Sequence, residues 1–294
     1  MLHLLLKGFF SYLEKKSPEQ CRKMGEGFGS LLWNLGYRKK VILKNLDIAF
    51  PDKSQDWKEE IGKKSLQNIG RVFFEWPKIP KYVKSGEIEK IVELKKGKEL
   101  LFEGSKGKIL ISAHIGNWEL AGAYLHNLTK KTKFLAYKMK NDKLNNLINS
   151  LRKNAGMEII FHNQSMKDFV KAINEGEILT FLADQNALLH RGVFVDFFGF
   201  PASTIFFPAK LAIKYDKDVL FGYVCFDSRK NKYFAEVEKI EFNKTGDLQK
   251  DIKNLVQAYT KKIEETVRKY PEQYFWVHKR WKTRPKGEPE NVYD

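Results

Sequence analysis

The chain has 294 residues, of which 43% are hydrophobic and 14% aromatic, so it is not a disordered protein and fits one large domain or two small ones. Its formal net charge of +17 favours an anionic partner, although a generally lysine-rich composition explains the surplus equally well. The two cysteines, Cys21 and Cys225, exclude a disulfide framework and a zinc cluster of cysteines.

The first predicted element is an amphipathic helix over residues 1–16. Its apolar face would comprise Leu2, Leu5, Leu6, Phe9, Phe10 and Leu13. The apolar run is shorter than the roughly 20 residues that cross a bilayer, and no small-residue cleavage site follows it. We expect either a helix that lies in the membrane interface or an ordinary first helix packed on the domain.

Residues 17–105 are predicted to be mainly helical. One helix is expected over 55–76, where Pro77 ends it, and the charged stretch 78–105 is expected to be a further helix interrupted by turns.

The pattern changes after residue 105, where short apolar runs alternate with helical segments. The predicted buried strands are 108–113, 133–137, 157–161 and 177–184. The predicted helices between them are 117–128, 142–154 and 165–174. This alternation predicts an α/β fold with a mostly parallel central sheet flanked by helices, in which chemistry takes place at the carboxyl ends of the strands.

The last third of the chain combines further strands and helices. In order, the prediction is an apolar segment at 193–199, a helix at 203–215, a hairpin from 218–226 and 232–240, and a long helix at 247–269. A basic tail follows. Its residues His278, Lys279, Arg280, Trp281 and Lys282 either contact an anionic surface or form a solvated basic face with a packed tryptophan.

A histidine and a carboxylate follow the first buried strand, in the segment ISAHIGNWELAG. With a reference pKa of about 6.5, His114 can take up a proton in one step and return it in the next. A strand–loop–helix junction can bring Glu119 back to His114, where a carboxylate would orient the imidazole. Asn117 and the free N–H groups at the helix start are candidates for positioning the substrate or an oxyanion.

The sequence H-I-G-N-W-E after an apolar strand resembles the H-x-x-x-x-D/E signature of glycerolipid and lysophospholipid acyltransferases. More specifically, it is similar to the lipid A late acyltransferase family, whose members add lauroyl or myristoyl chains to lipid A precursors. Five other blocks match that family in the same order: 45–51, 68–76, 137–160, 182–212 and 272–285. The resemblance therefore covers most of the chain.

The resemblance implies a glycerol-phosphate-acyltransferase-like fold and direct acyl transfer without a cofactor or metal. The donor would be an acyl carrier protein thioester, and the acceptor a hydroxyl on a 3-hydroxyacyl chain of a lipid A precursor. His114 would be the general base and Glu119 its supporting acid. The candidates for binding the acceptor's phosphates or for holding the site together are Arg152, Asp184, Gln185 and Arg191.

The same resemblance suggests how the chain is organised and where it works. Residues 1–16 would be a membrane-associating helix and 17–294 a single acyltransferase domain, with a helical part at 17–105 and an α/β catalytic part at 106–294. The positive charge would serve an acidic acyl carrier protein, the lipid A precursor and an anionic membrane surface. The expected location is the cytoplasmic face of a bacterial inner membrane, with spanning and interfacial attachment both open.

Other classes fit the sequence less well. It contains no G-x-S-x-G elbow, no P-loop and no cluster of metal-ligating residues at ligand spacing. Its basic residues are spread along the chain, so we expect no nucleic-acid partner. Two alternatives remain. One is an acyltransferase for another acceptor, such as a lysophospholipid or glycolipid, and the other is a non-enzyme, either a basic membrane-surface protein without turnover or a nucleic-acid-binding protein.

Overall fold

The computed structural model describes residues 2–104, 107–138, 141–161, 164–288 and 291–293, without the side chains of residues 2 and 3. Its helices are α1 (Leu2–Glu14), α2 (Pro18–Asn34), α3 (Lys39–Ala49), α4 (Gln55–Glu75), α5 (Ile79–Lys84), α6 (Ile88–Ile91), α7 (Trp118–Thr129), α8 (Asp142–Asn154), α9 (Met166–Asn174), α10 (Phe207–Lys214) and α11 (Leu248–Lys269). Its strands are β1 (Val92–Lys96), β2 (Lys108–Ser112), β3 (Thr132–Ala136), β4 (Glu158–Phe161), β5 (Ile178–Leu182), β6 (Gly192–Phe197), β7 (Phe200–Ile205), β8 (Val219–Asp227) and β9 (Lys232–Lys239).

Seven strands form one sheet in the order β1-β9-β8-β2-β5-β3-β4. The pairs β8–β2, β2–β5, β5–β3 and β3–β4 are all parallel. The predicted hairpin is the antiparallel pair β8–β9, and β1 adds to the far side of β9 in parallel. The expected α/β class with a mostly parallel sheet is confirmed.

The central strands are apolar on both sides because helices cover both faces of the sheet. Every residue of β2 is buried, which fits a continuous apolar run rather than an alternating one. Leu110 packs in one cluster with Leu120 of α7, while its neighbour Ile109 packs in another with Leu255 of α11. Successive side chains point to opposite faces of a strand, so β2 supplies both cores.

The N-terminal helices α2 and α4 pack against each other next to the loop that follows β2. α2 and α4 pack closely, and a Cβ added at Gly25 would lie 2.5 Å from the carbonyl oxygen of Gly70. This close approach requires glycine. It places α4 where its side chains reach the loop that follows β2, as described below.

The structure corrects the sequence prediction at two elements. The stretch 78–105 holds two short helices and the strand β1 instead of a helix with turns, because pairing with β9 buries Val92. The predicted helix at 203–215 begins only at Phe207. Residues 203–205 belong to β7, which pairs with β6, and this hairpin also accounts for the apolar segment 193–199.

The first helix is partly packed and partly open. Phe10 and Leu13 are buried beside Phe74 and Leu151. Lys78 Nζ donates hydrogen bonds to the carbonyl oxygens of Glu14 and Lys16, at 3.1 and 2.5 Å. Leu5 remains 65% exposed. Met1 and the side chain of Leu2 lie outside the described residues. Among the described helices, none is both long enough and apolar enough to span a membrane.

The basic tail is largely structural. Arg280 and Trp281 are buried, and Arg280 donates a hydrogen bond of 2.7 Å to the carbonyl oxygen of Ser203. A surface role is therefore wrong for these two residues, because the fold uses the guanidinium to satisfy buried carbonyl groups.

Candidate active site

The register of two neighbouring strands brings a histidine and an aspartate together. Ser112 at the end of β2 pairs with Leu182 at the end of β5. Two residues further on, the Nδ1 atom of His114 lies 2.9 Å from the Oδ1 atom of Asp184. The pair occupies the carboxyl edge of the parallel sheet, where ligands bind in open α/β folds.

Asp184 is suited to hold the imidazole in one tautomer. Its side chain is buried; this burial raises its pKa, but the attraction and hydrogen bond of His114 outweigh it and leave the pKa below its usual value. An ionised carboxylate accepts a hydrogen bond from Nδ1–H, so the Nε2 lone pair of His114 is left for a substrate proton. Gln185 Nε2 lies 3.5 Å from Nε2, too far for a strong hydrogen bond.

Glu119 does not contact His114, which corrects the sequence prediction. Its carboxylate instead receives two hydrogen bonds from Arg152, at 3.0 Å from Nε and 2.6 Å from a terminal nitrogen. Burial lowers the pKa of Arg152, but Glu119 outweighs it and keeps the pKa above its ordinary value. Because Glu119 lies in the first turn of α7, it faces α8, while β5 delivers the acid that reaches His114.

Asn117 is the N-cap of α7 and not a residue of the cavity wall. Its Oδ1 accepts a hydrogen bond of 3.0 Å from the Leu120 N–H, and its own N–H donates to the Val224 carbonyl. The side chain is buried. The structure gives no support to the expected substrate or oxyanion contact of Asn117, because its side chain is buried away from the wall of the cavity beside His114.

Backbone contacts immobilise the loop that carries His114. Gly116 has φ +58, and a Cβ there would lie 1.9 Å from the Val224 carbonyl oxygen. Asn68 of α4 donates to the Gly116 carbonyl at 2.9 Å, and the Phe275 N–H donates to that of His114 at 3.0 Å. A helix and the C-terminal segment thus hold the loop from two sides.

A cavity of about 780 Å³ lies next to the histidine, between α7 and the sheet. The polar candidates on its wall are His114, Glu119, Arg152, Gln185 and Arg191. The apolar part of its wall includes Leu94, Leu110, Leu125, Phe134, Met157 and Val237. Asp184 lies behind His114 and does not line this cavity, so a direct contact with an acceptor phosphate is excluded by its position. An apolar space of this size suits a hydrocarbon chain.

Comparison with known proteins assigns the chain to a family. The model of the family described as bacterial lipid A biosynthesis acyltransferase matches residues 4–283. The chain belongs to this family. Membership makes it an acyltransferase of lipid A biosynthesis by descent and confirms the resemblance seen in the sequence.

Individual relatives of this acyltransferase are distant. It is 22% identical to the lipid A biosynthesis palmitoleoyltransferase of Escherichia coli (strain K12), covering 85% of this chain and 81% of that protein. Identity to the lauroyltransferase of the same organism is also 22%, over 91% of this chain and 87% of that protein. A phosphatidylinositol mannoside acyltransferase of Mycobacterium tuberculosis is 24% identical over 56% of this chain and 54% of that protein.

Several aromatic residues of the acyltransferase site were not predicted. The His114 ring centroid lies 5.3 Å from that of Trp118 and 5.5 Å from that of Phe275. The Trp76 ring lies 5.5 Å from the Arg152 guanidinium, close enough for a cation–π contact. Each falls in a segment that resembles the family, and this resemblance is the signal that could have identified it.

Proposed function

We propose that this protein transfers a fatty acyl chain from an acyl carrier protein thioester to a hydroxyl on a 3-hydroxyacyl chain of a lipid A precursor. The observation that carries the proposal is the His114–Asp184 pair beside an apolar cavity of about 780 Å³. The family supplies the reaction class, and the cavity supplies room for the chain that moves.

His114 acts as the general base. Its Nε2 takes the proton of the acceptor hydroxyl while that oxygen attacks the thioester carbonyl. The carbon–sulfur bond then breaks, and the imidazolium returns its proton to the departing thiolate. Asp184 stabilises the imidazolium during the interval in which it carries charge. The products are an ester and the free thiol of the carrier.

The two arginines on the cavity wall, Arg152 and Arg191, have different roles. Arg152 is committed to Glu119 and keeps the junction between α7 and α8 in place. Arg191 is exposed at the cavity wall, which suits it to an acceptor phosphate. Gln185, which lines the cavity beside His114, positions the acceptor hydroxyl.

The proposed setting is the cytoplasmic face of a bacterial inner membrane. The described residues of α1 present Leu4 and Leu5 outward, 63% and 65% exposed, which supports an interfacial helix. Residues 17–294 would form the acyltransferase domain attached to it. The net charge of +17 favours an acidic carrier and an anionic lipid surface.

Acyl transfer by the purified protein tests the proposal. We would supply radiolabelled acyl carrier protein thioesters with a lipid A precursor, and compare the wild type with His114→Ala. His126→Gln is the matched control, since His126 lies outside the cavity wall and glutamine can keep its contact with Thr132. We expect labelled lipid A precursor from the wild type and control, and a loss of orders of magnitude for His114→Ala at an unchanged melting temperature.

A second acceptor class is supported by one relative, the phosphatidylinositol mannoside acyltransferase. Lysophospholipids and mannosylated phosphatidylinositol therefore enter the same assay. Label in one of these lipids alone would keep the chemistry and replace the acceptor. Full activity of His114→Ala would contradict the proposed mechanism.

A further inference from the structure

We propose that a loop at the cavity wall docks on an anionic lipid surface and so holds the cavity of the active site next to the membrane. The inference rests on the proposed function, in that the acceptor is a membrane lipid. The loop comprises residues 186–191, directly after β5 and Gln185; we refer to it as the rim loop.

The rim loop presents two large aliphatic side chains to solvent. Leu188 is 58% exposed and Leu189 is 66% exposed. His190 and Arg191 follow them, and Arg191 is exposed as well. Adjacent exposed leucines beside a cation are typical of segments that enter a membrane interface, where the apolar groups insert and the cation reaches phosphates.

Hydrogen bonds at both ends hold the rim loop in this conformation. The Asn186 side chain exchanges two bonds with Thr283, of 2.9 and 2.8 Å, and the Ala187 N–H donates to the Ser203 carbonyl at 3.1 Å. At the far end, the Phe206 N–H donates to the Arg191 carbonyl at 3.3 Å. The leucines are therefore presented by an anchored loop.

The rim loop borders the same cavity as the proposed general base. Leu188 and Arg191 line the cavity together with His114, and Ile148 and Arg152 of α8 line it too. A surface that covers the leucines would thus lie next to the cavity.

The first helix also contacts α8, through a row of side chains next to the one that lines the cavity. Leu147 and Leu151 of α8 belong to the same apolar cluster as the α1 side chain Phe10. The exposed leucines of α1 and of the rim loop are thus carried on elements that flank one helix. A lipid surface is extended, so it can contact the leucines of α1 and those of the rim loop at the same time.

A lipid surface fits the rim loop better than an acidic carrier protein does. An acidic partner would select basic side chains, whereas two of the four exposed positions of this loop, Leu188 and Leu189, are large and aliphatic. Tyr137, at the end of β3 and also on the cavity wall, is 51% exposed, and tyrosine is enriched at membrane interfaces. Arg191 of the rim loop is exposed and supplies a charge that complements anionic headgroups.

The test places a polarity-sensitive fluorophore on the rim loop. Cys21 and Cys225 are buried, so a thiol introduced by Leu189→Cys takes the label selectively. Leu248→Cys is the matched control, because Leu248 is also an exposed leucine, 48% accessible, at the start of α11. Neither residue lines the cavity. Vesicles of phosphatidylethanolamine with phosphatidylglycerol are compared with phosphatidylcholine vesicles.

We expect a blue shift and quenching by lipid-borne quenchers for the label at position 189 on the anionic vesicles, and no change at position 248. In vesicle co-sedimentation, Leu189→Ser should weaken binding about tenfold, since removing a buried leucine from lipid costs roughly one order of magnitude in affinity. Leu248→Ser should bind like the wild type. Turnover of a short-chain, water-soluble acceptor should be unchanged by Leu189→Ser.

Three outcomes would overturn the inference. They are an unshifted label at position 189 on protein that is bound to vesicles, equal binding of Leu189→Ser and wild type, and a shift at position 189 with acyl carrier protein instead of lipid. None of these readouts requires acyl transfer to a lipid A precursor. Failure of the docking surface is therefore distinguishable from failure of the proposed function.

Discussion

His114 and Asp184 each lie two residues beyond a register pair, Ser112 and Leu182, on adjacent parallel strands. Parallel strands end at the same edge of a sheet, so a base and an acid 70 residues apart in sequence meet at 2.9 Å. Glu119, only five residues from His114, is turned toward Arg152. The site therefore contains two carboxylates in separate pairs: Asp184 contacts the histidine, and Glu119 contacts the partly buried Arg152.

Replacing Asp184 by asparagine should slow catalysis without unfolding the protein. The amide cannot stabilise an imidazolium, and it allows the tautomer in which Nε2 carries the proton. In Ser-His-Asp enzymes the equivalent change costs about 10⁴-fold in kcat, and we expect a loss of about 10²- to 10⁴-fold here. Steady-state rates and a thermal melt of Asp184→Asn check this. A rate within tenfold of the wild type would show that His114 works without its carboxylate.

Removing only one partner of the Glu119–Arg152 pair should destabilise the fold strongly. Glu119 is almost fully buried, and removing one partner of a buried ion pair leaves an uncompensated charge at a cost of about 3 kcal/mol. We expect Glu119→Gln and Arg152→Met each to destabilise the fold, and the double variant to lose much less than the sum of the two.

Denaturant unfolding of the four proteins in this double-mutant cycle measures the coupling. The exposed pair of Glu60 and Lys64 is the control, for which we expect about 0.5 kcal/mol or less. Additive effects at the buried pair would mean that the hydrogen bonds contribute no net coupling energy.

Replacing Gly222 by leucine should shorten the acyl chain that the cavity accepts. It lies on β8 and lines the cavity, and an added Cβ would make only ordinary contacts, the nearest at 3.5 Å from Val237 Cγ2. Gly222→Ala is therefore tolerated, whereas the longer side chain of Gly222→Leu must enter the cavity.

Competition among acyl carrier protein thioesters of graded chain length, read by mass spectrometry of the product, measures the effect. We expect Gly222→Leu to favour shorter chains and Gly222→Ala to keep the wild-type profile. An unchanged profile in an active Gly222→Leu variant would place the acyl chain elsewhere.

Acid should destabilise the fold through His278. Burial lowers its pKa to about 4, and its neutral Nε2 accepts a hydrogen bond of 3.0 Å from the Asn186 N–H. Between pH 6.5 and pH 4 the unfolded chain binds a proton that the folded chain excludes, so stability falls as the pH falls through this window. The full effect is up to about 3 kcal/mol.

Melting temperatures of the wild type and His278→Gln across this pH range test the assignment. Glutamine can accept the same hydrogen bond but does not titrate, so the variant should lose less stability on acidification. His126, whose pKa burial also lowers, acts in the same window, and some pH dependence should therefore remain. Parallel curves for the two proteins would rule out His278 as the source.

Local patterns in the sequence predicted a large part of this structure. The apolar runs that became β2 and β5 are continuous because both faces of the sheet are covered, and they identified the strand ends that bear His114 and Asp184. Residues 203–205 were misjudged because a Ser-Thr pair before an apolar segment is typical of a helix start. Their pairing with β6 depends on residues about ten positions away.

The sequence by itself determined the α/β class, the strand end that carries the histidine, and the family. Which carboxylate meets His114 was decided only by the tertiary structure, because strand order and register bring distant residues together and leave no local periodicity. The same holds for β1, whose charged sequence becomes a strand when β9 offers its edge. Capping also commits Asn117 to the helix start, so a residue type suited to substrate contact is used to build the site.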